Sequence, residues 1–187
     1  MTSVSVLIDR QDDIANGTAT PLNLPKFDTY SICNLRGGIG KTSLAFNLSY
    51  YIDDLLVLDT CPQGNLSYFF DNNFLSSSSL SVNDLLMPYF VPGMGYATRV
   101  AKKVSATNQH FTGKNTFFIP SSSDLYILPT QIANALAQAR LITGVNQTTV
   151  IDNMLFSLRN EIIREKTETS TTRCLIDTSP FFSGATH

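Results

Sequence analysis

Apolar and polar residues along the 187-residue chain alternate between short continuous runs and spaced stripes. Thr29-Tyr-Ser-Ile-Cys-Asn-Leu35 reads as a buried strand. A Gly-rich turn, Arg36-Gly-Gly-Ile-Gly-Lys-Thr-Ser43, follows at once. The spacing predicts a helix from Thr42 to Ile52, with Leu44, Leu48 and Ile52 forming its inward face. Leu55-Leu-Val-Leu58 is a continuous apolar run closed by Asp59, the pattern of a strand covered on both faces in a parallel sheet. Strand, helix and strand in this order make a βαβ unit.

Further along, residues 66–80 contain Ser76–Ser79 and read as a mobile loop. A short helix is predicted from Ser81, with Asp84 in its first turn, Val82, Leu85 and Leu86 inward, and an end before Pro88. Thr116–Ile119 and Leu125–Leu128 are strand candidates. Pro129 opens a helix running to about Ile142, stopped by Gly144. Residues 147–166 predict one amphipathic helix, with Ile151, Met154, Leu155, Leu158 and Ile162 on a single stripe. Arg173-Cys-Leu-Ile-Asp177 is a second buried strand ending in a carboxylate. Residues 1–28 are polar and irregular and read as an N-terminal extension, within which Val4–Ile8 suits a short edge strand. One ordered domain over 29–187 is expected.

Composition narrows the class. With 13 Lys+Arg against 15 Asp+Glu, the formal net charge is −2, which gives no general reason to expect a polyanion partner. Apolar residues make up 43%, enough for a core and too many for a disordered chain. No apolar run reaches the roughly 18 residues of a membrane span, and the first thirty residues lack a signal-like apolar segment. Cys33, Cys61 and Cys174 are an odd number without metal-ligand spacing, which suits a reducing, cytoplasmic setting. Cys33 and Cys174, in core strands, are expected to act as small hydrophobes.

The turn carries the sharpest chemical signal. Glycines at 37, 38 and 40 let the backbone curl so that successive N–H groups converge on phosphate oxygens. The helix that follows adds the positive end of its dipole. Lys41 is placed to reach the terminal phosphates and Thr42 to ligate Mg²⁺. Ile39 and Ser43 complete the candidate phosphate-binding segment. Asp59 and Asp177 each end a predicted parallel strand beside this turn, where open α/β sheets bind ligands. Two carboxylates there suit Mg²⁺ held through its waters, although such an aspartate also serves to cap the turn that follows it.

Arg36-Gly-Gly-Ile-Gly-Lys-Thr42 departs from the ordinary G-x-x-x-x-G-K-[ST] pattern, because Leu35 occupies the first glycine position. It resembles instead the deviant Walker A loop of the ParA/MinD ATPase family. Asp59-Thr-Cys-Pro-Gln-Gly-Asn65 is similar to that family's next signature, and Leu175-Ile-Asp-Thr-Ser-Pro180 to its Walker B strand. The three occur in family order, and the Pro-Gln-Gly-Asn run is closer to ParA than to a MinD-like membrane ATPase. The resemblance implies a three-layer αβα P-loop NTPase fold with a mainly parallel sheet. It further implies ATP and Mg²⁺ as cofactors, with Arg36 and Gly37 to Ser43 on the nucleotide and Thr42, Asp59 and Asp177 at the metal. A nucleotide-dependent dimer is implied too, either with a second copy or with a full-length homologue. Other implied partners are a ParB-like protein and non-specific DNA, but no membrane. The stretch 99–114, with Arg99, Lys102, Lys103 and Lys114, offers a modest basic footprint for DNA and reads more readily as a solvated face.

Three departures modify this expectation. Arg36 replaces the lysine that, in the family, reaches the partner's phosphates; it keeps the charge in a forked, planar form. Cys61 replaces the family's water-positioning aspartate, a loss expected to slow hydrolysis on the order of 10²–10⁴-fold. Asp59 is the residue left to take over, so the candidate catalytic groups are Lys41, Arg36 and Asp59. The chain also ends soon after Asp177, where ParA-like proteins continue, so the sheet is expected to lack its C-terminal strands. The resulting reading is a ParA-like partition or positioning switch that binds Mg·ATP. The alternative is a non-hydrolysing relative that regulates a full-length homologue.

Overall fold

The apolar runs become the middle of a sheet, and their alternation decides which helices cover each face. In the computed structural model, residues 4–20, 26–75, 80–144 and 146–179 are described. Pro21, Pro25, Ser76–Ser79, Pro180 and 181–187 lie outside them. The strands are β1 (Thr29–Ile32), β2 (Leu55–Asp59), β3 (Lys102–Lys103), β4 (Thr116–Ile119) and β5 (Arg173–Asp177). Their order is β1-β5-β2-β4-β3; all neighbours pair parallel except β3, which runs antiparallel to β4. The helices are α1 (Val4–Ala15), α2 (Lys41–Tyr51), α3 (Asn65–Phe70), α4 (Val82–Phe90), α5 (Leu128–Ala139), α6 (Asn146–Leu155) and α7 (Ser157–Thr169).

Successive side chains of a strand point to opposite faces. Leu56, Leu58, Phe117, Ile119 and Cys174 therefore join Leu85, Leu86, Leu128 and Ile162 of α4, α5 and α7 in one core. Leu55, Val57, Phe118 and Leu175 face the other way, onto Ala45 of α2, Leu66 and Phe70 of α3, and Phe111. These two cores make the fold three layered, as expected. β2 is buried along its whole length. The register aligns Asp59 with Asp177, so both carboxylates emerge at the same end of the sheet.

Several local expectations are corrected. Val4–Ile8 is helical, the first part of α1, and pairs with none of the described strands. The first strand stops at Ile32 and is only partly covered, because β1 is the sheet edge; Cys33 lies past it and is exposed. Leu48 and Ile52 of α2 pack against the second core as expected, but the fully buried residues of its inward face are Ala45 and Ser49, and Leu44 is 51% exposed. Small residues let this helix approach the sheet closely, a preference that hydrophobic spacing overlooks. The start of the 66–80 segment is not loop but α3, whose Leu66 and Phe70 fill the second core.

α4 runs through Pro88 to Phe90. An interior proline costs about 3 kcal/mol, but Leu85, Leu86, Met87 and Phe90 are all buried by continuing the helix. Its start is as expected: the Asp84 carboxylate accepts from the N–H of Ser81 at 2.8 Å and from its hydroxyl at 2.7 Å. Leu125–Leu128 is no strand. It is a 3₁₀ turn over Ser123–Tyr126 running into α5, with Leu125 and Leu128 fully buried at helical spacing.

The single helix expected over 147–166 is two, broken at Phe156, and Leu155 is exposed. The reason is the inward face of α7, which is partly acidic. Glu165 accepts from the amides of Val100 and Ala101 at 3.0 and 2.9 Å, and Glu161 accepts from the Tyr89 hydroxyl at 2.8 Å. Arg164 pairs with both carboxylates.

Phe118 is the ring through which β4 anchors the second core, 5.2 Å from Phe70 centroid to centroid. Phe118→Ala is expected to cost about 3–5 kcal/mol, read as a lower urea midpoint at unchanged m-value.

Candidate functional site

Between β1 and α2 the chain turns through Gly38 and Gly40, at φ 72° and 86°. These left-handed conformations are open to glycine and strained for other residues. A Cβ at either position would meet nothing, so the requirement is conformational rather than steric. Among the described residues, the amides of Gly37, Gly38, Ile39 and Gly40 donate to no protein acceptor, nor do those of Lys41, Thr42 and Ser43; the first helical bond is Leu44 N–H to the Gly40 carbonyl, 2.9 Å. The Lys41 ammonium folds over the loop, 3.4 Å from the Arg36 carbonyl. Asn34 braces the entry by accepting the Arg36 N–H at 2.8 Å. Unpaired amides at a helix N-terminus with a lysine above them form an anion site.

Beside the loop lies the end of β5. The Thr42 hydroxyl donates to Asp177 Oδ2 at 2.9 Å. Asp177 Oδ1 is buried and has no hydrogen-bond partner among the described residues. Burial raises the Asp177 carboxyl above its usual range, opposed by the Thr42 hydrogen bond and the Lys41 charge. An orphaned carboxylate oxygen next to a threonine hydroxyl is a hard-oxygen donor set that fits Mg²⁺.

Asp59 is differently engaged. Its Oδ1 accepts from the Cys61 N–H at 3.1 Å, and its Oδ2 from the N–H and hydroxyl of Ser67, both 2.8 Å. Ser67 Oγ in turn accepts the Ser121 N–H at 2.9 Å, and the Ser121 hydroxyl donates to the Cys61 carbonyl. Asp59 therefore staples the loop after β2 to α3 and to the exit of β4. Burial, the largest influence, raises its carboxyl to about 7. Burial also pushes the Cys61 thiol up, which keeps it neutral at ordinary pH.

A cleft of about 580 Å³ opens over the loop; Asp177 sits behind Thr42 rather than in its lining. Gly37, Gly38, Gly40, Lys41, Thr42 and Ser43 line it, facing Cys61, Gln63, Asn65 and Thr178. Arg36 and Ile39 are exposed on the same loop but outside that lining, and Asp59 sits behind Cys61. Tyr68 and Phe69 also line the cleft, and sequence reasoning missed them along with Ser67 and Ser121. A recurring aromatic pair so soon after Gly64-Asn65 was the available signal, obscured by reading the segment as loop. Basic residues 99–114 do not converge on the cleft: Lys114 pairs with Asp53 at 3.3 Å, and Arg99 stacks on Phe117.

Neither a family model nor a curated protein matches the chain. Solved structures do. Protein DIP2308 from Corynebacterium diphtheriae superposes with a TM-score of 0.63 at 15% identity, over 84% of this chain and 55% of that one. Cobyrinic acid a,c-diamide synthase from Mycobacterium smegmatis, with bound ATP analogue and magnesium, gives 0.51 at 19% identity, over 86% and 55%. The ATP complex of a variant of McdA from Cyanothece gives 0.52 at 22% identity, over 86% and 51%. The fold is that of the P-loop NTPases. The chain spans about half the length of these structures. Among the described residues, no helix is long and apolar enough to cross a membrane.

The Asp59 environment makes a pH prediction. Between 3.8 and about 7 the folded state keeps a proton that the unfolded chain gives up, so this contribution is full at low pH and is lost as pH rises through 7. The urea midpoint of the ligand-free protein, measured relative to Asp59→Asn, is expected to fall between pH 4 and 8. A constant difference would mean that Asp59 is ionised throughout.

Proposed function

We propose that this chain is a ParA-like nucleotide switch of the partition or positioning type, which binds Mg·ATP in the cleft and hydrolyses it slowly. One observation carries the reading: seven consecutive amides, from Gly37 to Ser43, lack protein acceptors beside an unpaired buried carboxylate oxygen of Asp177. Nucleotide and magnesium in the synthase neighbour, and ATP in the McdA neighbour, support it. The glycine amides and Lys41 would hold the phosphates; Thr42 and Asp177 would hold Mg²⁺, which supplies charge neutralisation on the phosphates when bound. Arg36, exposed on the loop, is free to reach a partner's phosphates in a dimer with a second copy or a full-length homologue. Asp59 stands behind, holding the loop at 61–67; a direct role at metal or water requires it to release Ser67. A ParB-like regulator and non-specific DNA belong to the same reading as partners, in the cytoplasm.

The buried, neutral Cys61 thiol favours a second reading, a non-hydrolysing protein that acts by pairing with an active homologue. Mixing the two proteins and following turnover distinguishes them.

Calorimetry with Mg·ATP is expected to show binding that weakens about thirtyfold or more in Lys41→Ala. Phosphate release is expected to be slow and to rise at least about a hundredfold in Cys61→Asp. No binding heat from folded protein would overturn the nucleotide reading; fast wild-type turnover, unchanged by Cys61→Asp, would overturn slow hydrolysis.

A further inference from the structure

The cleft has two chemically distinct ends. One is the amide nest of α2; the other is built by α3 and is aromatic. α3 has three consecutive aromatic residues, and the core takes only the last: Phe70 is 1% exposed, against 51% for Tyr68 and 43% for Phe69. Both exposed rings line the same cavity as Gly37, Lys41 and Thr42. Large apolar side chains left facing a polar cleft call for an occupant with a flat apolar surface.

Phe69 is also held in place. Phe69 makes an edge contact with Phe46 of α2, 5.5 Å between centroids with planes at 74°. The Phe69 carbonyl accepts from the Asn108 side chain at 3.0 Å, and the Phe70 carbonyl from the Thr107 hydroxyl at 2.9 Å. At the start of α3, Gly64 is left-handed at φ 65°, and a Cβ there would approach Phe74 to 2.6 Å. Helix α3 is thus anchored at both ends, and the backbone that carries the two rings is already ordered by the fold before binding. Gln63 and Asn65, whose amides meet at 3.4 Å, lie next to them with donors and acceptors suited to a base edge.

We propose that Tyr68 and Phe69 form a base-stacking wall, so that a nucleoside triphosphate lays its nucleobase against these rings while its phosphates occupy the amide nest at Gly37–Ser43. This rests on the nucleotide reading above and adds the source of the nucleoside's contribution to affinity. Stacking uses the face that every base has, so the wall selects nucleotides over bare polyphosphate more strongly than one base over another.

The test compares Mg·ATP with Mg·tripolyphosphate by calorimetry on wild type, Tyr68→Ala and Tyr68→Phe. Wild type is expected to bind ATP at least about tenfold tighter than tripolyphosphate. Tyr68→Ala is expected to lose most of that preference with tripolyphosphate binding unchanged, and Tyr68→Phe to keep it. Quenching of etheno-ATP fluorescence on binding, present in wild type and reduced in Tyr68→Ala, reports the stack directly. Equal affinity for the two ligands in wild type overturns the wall and leaves the phosphate nest intact. Equal weakening of both ligands in Tyr68→Ala assigns Tyr68 to the fold or to a partner contact, and also overturns it. Binding of neither ligand by folded wild type overturns the nucleotide reading and the wall together.

Discussion

Asp177 is where the architecture and the candidate chemistry meet. Its backbone carbonyl accepts from both the N–H and the hydroxyl of Thr60, at 3.0 and 2.9 Å, tying the ends of β5 and β2 together. One carboxylate oxygen accepts from Thr42, tying the same point to the first turn of α2. Three segments far apart in sequence are thus held by one residue that is 1% exposed. Burying a carboxylate with one oxygen unpaired is unfavourable in the absence of a compensating charge. The fold accepts that cost beside the Thr42 hydroxyl at the foot of the glycine loop.

Asp59 shows how the same residue type, one strand over and in register, comes to a different use. Its oxygens are occupied by Cys61 and Ser67, and the chain of hydrogen bonds continues to Ser121. That network shapes the wall of the cleft opposite the glycine loop. It leaves Cys61 in the position nearest the cleft, with a neutral thiol that orients water poorly compared with a carboxylate. The two sides of the cleft thus differ: the glycine loop presents amides and Lys41, and the opposite wall presents an uncharged thiol.

The helical layers carry these loops by unequal means. α2 lies close on the sheet because Ala45 and Ser49 are small. α7, by contrast, turns two glutamates inward and satisfies them with Tyr89, Arg164 and the amides of Val100 and Ala101. Those contacts fix the segment leading into β3 without any apolar stripe.

Much was legible in the residues alone. Continuous apolar runs ending in aspartate determined β2 and β5 to the residue, since a strand buried on both faces has no polar alternation to blur it. The glycines at 38 and 40, followed by Lys41-Thr42, determined the turn, because their left-handed conformations need glycine. What the tertiary structure decided were features whose energy comes from distant partners. The two aspartates look alike in sequence and part company only when Ser67, itself braced by the Ser121 amide, comes within hydrogen-bond reach of one of them. Pro88 stays inside a helix because burial outweighs its local cost. Tyr68 and Phe69 face the cleft, rather than the core, because Phe70 already fills the space beneath α3, and no local pattern records which of three adjacent aromatic rings the core will take.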